Sequence, residues 1–164
     1  MDWEQELNTM SSNHLKRLAM PRSWPLPRKT SVWVTRPTPG AHSLEHCMPI
    51  TLVLRDVLNV AKTAREVRFI LHNELAMIDG RVVKDTRRGV GLMDVLTLGE
   101  QNYRCVLDHK GRLQYRLIGA DEASWKVCRI EGKTTIKGGK TQLNLHDGRN
   151  IIVEDPSEYS TGDS

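Results

Sequence analysis

Just after Pro49, apolar residues recur at helical spacing. Ile50, Val53, Leu54, Val57, Leu58 and Ala61 fall at i, i+3, i+4, i+7, i+8 and i+11, which is one helix face. The opposite face carries Arg55, Asn59 and Lys62. Pro49 suits the first helical position, where a missing N–H leaves no bond unmade. A second helix is predicted from Thr63. Thr63-Ala64-Arg65-Glu66 is a capping box: the threonine hydroxyl accepts from the Glu66 amide, and the glutamate reaches back. The apolar face of this helix is Ala64, Val67, Ile70 and Leu71; its polar face is Arg65, Arg68 and His72.

The pattern then turns to strand chemistry. Ala76-Met77-Ile78 runs into Asp79-Gly80, a strong hairpin signal, and Val82-Val83 follows. A basic loop at 84–88 precedes Gly89-Val90-Gly91, and Val95-Leu96-Thr97-Leu98 reads as a further strand. Tyr103, Cys105 and Leu107 alternate with polar positions, and so do Leu113, Tyr115 and Leu117 beyond a turn at 108–111. Later turns fall at 137–140 and 146–149, before the apolar run Ile151-Ile152-Val153. A short helix near 121–126 interrupts the strands. The predicted fold class is α+β: a small two-helix-plus-hairpin unit packed with a β-rich region.

What precedes Pro49 is different. Six of the seven prolines lie between Pro21 and Pro49, so most of this stretch must be extended or turning. A short helix fits only around 13–19. From Ser11 to Leu44 there are six Lys or Arg and no acid. With few apolar residues to offset backbone entropy, the segment is expected to be poorly ordered until it lies on a polyanion. Trp24 and Trp33 are its candidate anchors, on the protein body or against an exposed base. The chain thus divides into an acidic tail (1–10), a basic Pro-rich extension (11–48), a helix–hairpin domain (49–98), a β-rich central domain (99–153) and a second acidic tail (154–164).

Charge sharpens the picture. The formal net charge is +4, yet all 24 Lys and Arg lie within 11–153, where 13 acids leave a surplus of 11. Such a body attracts polyanions. No run approaches the roughly 20 apolar residues that span a bilayer. Met1-Asp2-Trp3-Glu4 does not open a signal peptide, so a cytoplasmic protein without a membrane partner is expected. Cys47, Cys105 and Cys128 include no Cys-x-x-Cys pair and read as reduced, small apolar side chains.

Enzyme motifs do not survive inspection. His42-Ser43-Leu44-Glu45-His46 matches an inverted zinc-protease pattern. However, Gly40 and Pro49 leave too short a helix for it, and no third ligand stands on a convincing helix. Gly132-Lys133-Thr134 imitates the end of a phosphate loop, but Val127 stands where its first glycine is needed. No catalytic residue, metal, cofactor or small-molecule substrate is expected.

The constellation that remains is cationic. Arg55, Lys62, Arg65, Arg68 and His72 on the helices join Arg81, Lys84, Arg87 and Arg88 on the hairpin and its exit loop. Lys16, Arg17, Arg22, Arg28, Lys29 and Arg36 add the extension. Two short helices on a small sheet would present the first set as one curved surface. Such a surface suits folded RNA, which is read by shape, phosphate and 2′-hydroxyl contacts.

Residues 49–98 resemble the small RNA-binding domain shared by bacterial ribosomal protein S-four, some pseudouridine synthases and the tail of tyrosyl-tRNA synthetase. Residues 64–81 carry that likeness: a basic helix, a strand and an Asp-Gly turn. The wider chain resembles the archaeal and eukaryotic S-four-e family of ribosomal proteins. The matching stretches include His14-Leu15-Lys16-Arg17-Leu18, Pro21-Arg22-Ser23-Trp24, Ile78-Asp79-Gly80-Arg81 and Gly91-Leu92-Met93-Asp94-Val95. Asp108-His109-Lys110-Gly111-Arg112 and Leu145-His146-Asp147-Gly148-Arg149-Asn150 continue them in order. The resemblance implies a ribosome-associated scaffold of the small subunit, bound to ribosomal RNA and neighbouring ribosomal proteins. Members of that family usually continue with a further small β-barrel domain, whereas this sequence stops at Ser164 in an acidic tail. The alternative is an RNA-modification or RNA quality-control factor that uses the same domain.

Overall fold

The computed structural model describes residues 13–164 and mixes few helices with several sheets, as an α+β fold does. The acidic segment 1–10 and the first two residues of the extension lie outside the described residues.

The first helix starts one residue after Pro49, which serves as its N-cap. It is α1 (Ile50–Leu52), running on as a π-helical turn (Val53–Val57). It stops sooner than the apolar spacing implies, because Asn59 adopts a left-handed backbone with φ 54°. The amides of Val60 and Ala61 turn back onto the Leu54 carbonyl at 2.9 and 3.2 Å. Ala61 therefore reaches the core through a turn rather than along a helix face. Helix α2 (Ala64–His72) carries the predicted cap: the Thr63 hydroxyl accepts from the Glu66 amide at 3.2 Å. The Glu66 carboxylate in turn accepts from the Lys62 amide at 2.6 Å. Val67 and Leu71 are buried and Ile70 packs at the margin, whereas Ala64, in the first turn, is exposed.

Beneath the helices lies a five-stranded antiparallel sheet of β4 (Ala76–Ile78), β5 (Arg81–Val82), β7 (Val95–Leu98), β8 (Gln101–Leu107) and β9 (Leu113–Ile118). The strands lie in the order β5-β4-β7-β8-β9. The β4–β5 hairpin turns at Asp79 and Gly80, with φ values of 49° and 73°, the paired positive angles of a two-residue hairpin whose twist matches its strands. Asp79 Oδ1 also accepts from the Val95 amide at 2.9 Å, tying the turn to β7. The sheet crosses residue 98 without a break, from Val95↔Arg104 to Leu98↔Gln101. The boundary expected there falls inside one sheet, because alternation announces strands but not their partners.

Strands β10 (Ile130–Thr135), β11 (Thr141–Leu145) and β12 (Asn150–Val153) form a second sheet over a small core of Ile130, Leu143 and Leu145. Between the sheets runs α3 (Ala120–Ala123), the short helix expected near 121–126.

The Pro-rich extension is not loosely placed. Its 13–19 stretch forms β1 (Leu15–Lys16), paired with β2 (Trp33–Val34), and a 3-10 turn (Arg17–Ala19) in place of a helix. Trp24 is 2 % exposed, and its indole N–H donates to the Cys47 carbonyl at 2.8 Å. Met20 and Val34 join the main core, and the Leu113 amide donates to the Ser23 carbonyl at 2.7 Å. A few large side chains, widely spaced, suffice to seat a segment that cannot make a core of its own.

Beyond it, β3 (Cys47–Pro49) pairs with β6 (Gly89–Gly91). A Cβ on Gly91 would stand 2.1 Å from His42 Cδ2. The imidazole is buried and held 3.0 Å from Asp94, so it cannot simply swing away. Gly91→Ala is expected to cost about 1–3 kcal/mol through overpacking, read as a shift of the urea midpoint at unchanged m-value. A change within about 0.5 kcal/mol would mean that the ring moves freely.

Candidate nucleic-acid interface

Helical spacing sends Arg65, Arg68 and His72 outward, opposite Val67 and Leu71, and all three are exposed. Phe69 shares their side at 68 % exposure. Arg68, Phe69 and His72 border a shallow depression of about 390 Å³ together with Lys84 from the loop after β5. The helix and the loop after β5 thus share one depression. Lys84 pairs with Glu74 at 2.8 Å across its rim, and both partners remain in solvent. Lys84 holds the Glu74 carboxyl below its ordinary value through its hydrogen bond and charge. Lys62 is exposed just before α2.

The remaining residues of the predicted surface separate. Arg81 and Arg88 are exposed and line, with Lys84, a cleft of about 600 Å³ that also takes in Arg149. Arg55 and Arg87 border instead a depression of about 450 Å³ with Arg17, Trp33 and Arg36 of the extension. Lys16, Arg22 and Lys29 are exposed. Arg28 is half-buried and donates to the Leu18 carbonyl at 2.9 Å. Arg17 departs from its expected role: it is 8 % exposed, and its guanidinium donates to the Pro27 carbonyl at 2.6 Å and to Ser31 Oγ at 3.2 Å. It braces the extension from within, because the turns around Pro27 leave a carbonyl that a long donor can satisfy.

The sequence reading missed two features. Phe69 was findable: it lies four residues after Arg65 and three before His72, on the polar face. The second is a charged cluster on the floor of the 600 Å³ cleft. Lys126 Nζ donates to Asp79 Oδ2 at 2.9 Å and to Asp94 Oδ1 at 2.6 Å, and lies 3.1 Å from Asp147 Oδ2. Arg149 pairs with Asp79 and reaches Asp147 at 3.1 Å. Asp94 Oδ2 accepts the Gly91 amide at 2.7 Å. Arg104 delivers Lys126 to this place: buried itself, it donates to the Trp125 carbonyl at 2.8 Å and lies over the Trp125 ring at 4.5 Å.

The environments of these groups are coherent. Burial pushes the Asp94 carboxyl up, but the hydrogen bond and charge of His42 and the Lys126 ammonium outweigh it and hold it below its ordinary value. Burial likewise acts on Asp147 and is overcome by the Arg149 amide and Lys126. Burial draws Lys126 down, yet Asp94 and Asp79 raise it well above its ordinary value. The cluster ties the hairpin turn, the β6–β7 turn, the linker after α3 and the β11–β12 turn together. It thereby docks the small sheet on the large one and sets Arg149 beside Arg81 and Arg88.

His42 of the protease-like motif is thus engaged with Asp94, and His46 Nδ1 contacts Ser43 Oγ at 3.0 Å on a 3-10 turn (Leu44–His46). Among the described residues no group of His, Cys, Asp and Glu is arranged to hold a metal ion. All three cysteines are free. Burial pushes the Cys47 thiol up to about 11 and that of Cys105 up to about 12, so neither is a ready nucleophile. No helix among the described residues is long and apolar enough to cross a membrane.

Known proteins share this chain's pattern. Residues 99–164 match the family described as ribosomal family S4e, and residues 10–45 match the RS4NT (NUC023) domain. The small ribosomal subunit protein eS4 of Methanocella arvoryzae is 47 % identical over 157 residues, covering 94 % of this chain and 65 % of the relative. Its counterpart in Methanocaldococcus jannaschii is 46 % identical over 160 residues, covering 92 % of this chain and 65 % of the relative. The chain therefore spans just under two thirds of the length of these curated relatives. A crystal structure of the 30S ribosomal protein S4e from Thermoplasma acidophilum aligns with a TM-score of 0.60 at 32 % identity, over 68 % of this chain and 58 % of that one. With its two family matches together taking in more than half of its length, and nearly half of its residues identical to these relatives across almost all of it, the chain belongs to the ribosomal S4e family.

Proposed function

We propose that this chain is a structural constituent of the small ribosomal subunit, binding ribosomal RNA and contributing no catalysis of its own. The observation that carries this reading is the exposed face of α2, where Arg68, Phe69 and His72 border one depression with Lys84 and Arg65 lies exposed one turn before Phe69. Guanidinium and ammonium groups in solvent on one helix face fit the phosphates and shape of folded RNA, and the exposed ring adds apolar contact. The names of its relatives, small ribosomal subunit protein eS4, support the same assignment. In this reading the helices and hairpin within residues 49–98 are an S-four-type RNA-binding unit whose sheet continues into β8 and β9, and the extension adds Lys16, Arg22, Lys29 and Arg36 to the contact. Neighbouring ribosomal proteins are its other partners. The site of action is the cytoplasmic ribosome.

Binding of small-subunit ribosomal RNA should fall steeply with salt, because each neutralised phosphate releases condensed counterion. If half of Arg55, Lys62, Arg65, Arg68, Arg81, Lys84, Arg87 and Arg88 touch phosphate, a plot of log affinity against log salt should slope at about −3. A flat response would sink the footprint. Sedimentation then separates a constituent, which tracks the small subunit one to one, from an RNA-modification or quality-control factor, which does not.

A further inference from the structure

The two tryptophans of the extension have opposite fates. Trp24 is the anchor, buried with its N–H bonded. Trp33 is 55 % exposed, although the neighbouring strand position, Val34, is buried in the core. Strand alternation accounts for this, since successive side chains of β2 point to opposite faces. What surrounds Trp33 is less ordinary. His14 meets it edge to face with ring centroids 5.6 Å apart. Arg36 from the same segment, Arg55 from the π-helical turn and Arg87 from the loop after β5 border the same 450 Å³ depression. Three stretches far apart in the chain thus bring cationic side chains to one exposed indole.

Two acids stand near by. Asp56 holds Arg55 through two hydrogen bonds, of 3.0 and 2.8 Å, so that this guanidinium enters the depression already paired. The Asp85 carboxylate accepts the Arg87 amide at 2.8 Å and the Thr38 hydroxyl at 3.0 Å. Arg87 is half-buried at the edge of the depression. Of these residues only Arg55 and Arg87 belong to the helix–hairpin footprint, and they border this depression rather than that of α2.

We infer that Trp33 and the arginines around it seat one unpaired nucleotide of the bound RNA, with the base stacked on the indole and the adjoining phosphate held by guanidinium groups. An aromatic face takes any base, and arginine matches phosphate geometry in two-point contact. The volume suits a single nucleotide, within the roughly 300–1,000 Å³ of small-ligand sites. A duplex offers no free base to this site, whereas the α2 face reads phosphate and shape. The inference rests on the RNA-binding reading but assigns a different part of the surface to a different state of the RNA.

The test uses the whole chain with two probes: a single-stranded oligoadenylate of about ten nucleotides and a blunt RNA duplex. Trp33→Ala should weaken oligoadenylate binding by about tenfold, while Trp33→Phe stays within about threefold of wild type because a ring remains. Both variants should bind the duplex like wild type and keep the wild-type urea midpoint, since the indole is exposed. Wild-type affinity of Trp33→Ala for oligoadenylate overturns the site. So does an equal loss on both probes, which would mark a general effect rather than a base seat. If wild type binds the duplex but not oligoadenylate, this site falls while the RNA-binding reading stands. If it binds neither, both fall.

Discussion

Lys126→Met should remove about 3 kcal/mol or more of stability and flatten the protein's loss of stability in acid. The side chain is 9 % exposed and stands among Asp79, Asp94 and Asp147, with Arg149 and His42 as the other cationic or titratable partners and Cys128 beside Asp147. Methionine fills nearly the same space but leaves three carboxylates converging on one fewer cation. In the wild type, Asp94 and Asp147 lie below their ordinary value of 3.8, so their stabilisation is complete above it and is lost as pH falls through the lower folded values. Lys126 lies above its ordinary 10.5, so its stabilisation is complete below that value and is lost only as pH rises through the folded value. In the variant, burial and mutual repulsion push the carboxyls up with less to oppose them. Asp94 keeps His42 and Asp147 keeps Arg149, so both rise only toward their ordinary value of 3.8, and less stability is lost as they protonate. Urea midpoints should therefore fall less for the variant than for wild type as pH drops below about 5. Adding Asp147→Asn should restore part of the loss, because it removes a charge that no longer has its partner. A single variant as stable as wild type, with the same pH profile, would show that the cluster does not clasp the two sheets.

Charge reversal on α2 gives the second large effect. Arg65→Glu with Arg68→Glu should weaken binding of small-subunit ribosomal RNA by on the order of a hundredfold at physiological salt and flatten the salt slope by about 2. Both side chains are exposed on the face opposite Val67 and Leu71, so packing is untouched. Surface changes of this kind usually alter stability by less than about 0.5 kcal/mol. Glutamate at position 65 also lies in the first helical turn, where the helix dipole favours an acid. Thr63→Ala is the matched control: loss of the cap should cost about 1 kcal/mol of stability with little change in intrinsic affinity. Filter binding and urea melts on the same preparations separate the two effects. A double variant that still joins small subunits like wild type would place the RNA-binding face elsewhere, and one that unfolds would mean the faces of α2 are misassigned.

Read by itself, the sequence determined what local rules can determine. The Thr63 cap and the helix it starts, the Asp79-Gly80 turn and the outward set of Arg65, Arg68 and His72 all stand where spacing puts them. A capping box spans four residues and a hairpin turn two, so each is decided by hydrogen bonds within its own stretch. Phe69 was legible by the same rule. Only the tertiary structure decided that the large sheet runs through residue 98, that Trp24 seats the extension, and that Arg17 turns inward while Trp33 turns out. Only there do Asp79, Asp94, Asp147 and Arg149 gather on Lys126. None of these follows from periodicity, which reports which side of an element is buried but not against what. A buried charge is tolerated only where opposite charges reach it, and those come from turns far apart in the chain that the two packed sheets bring together.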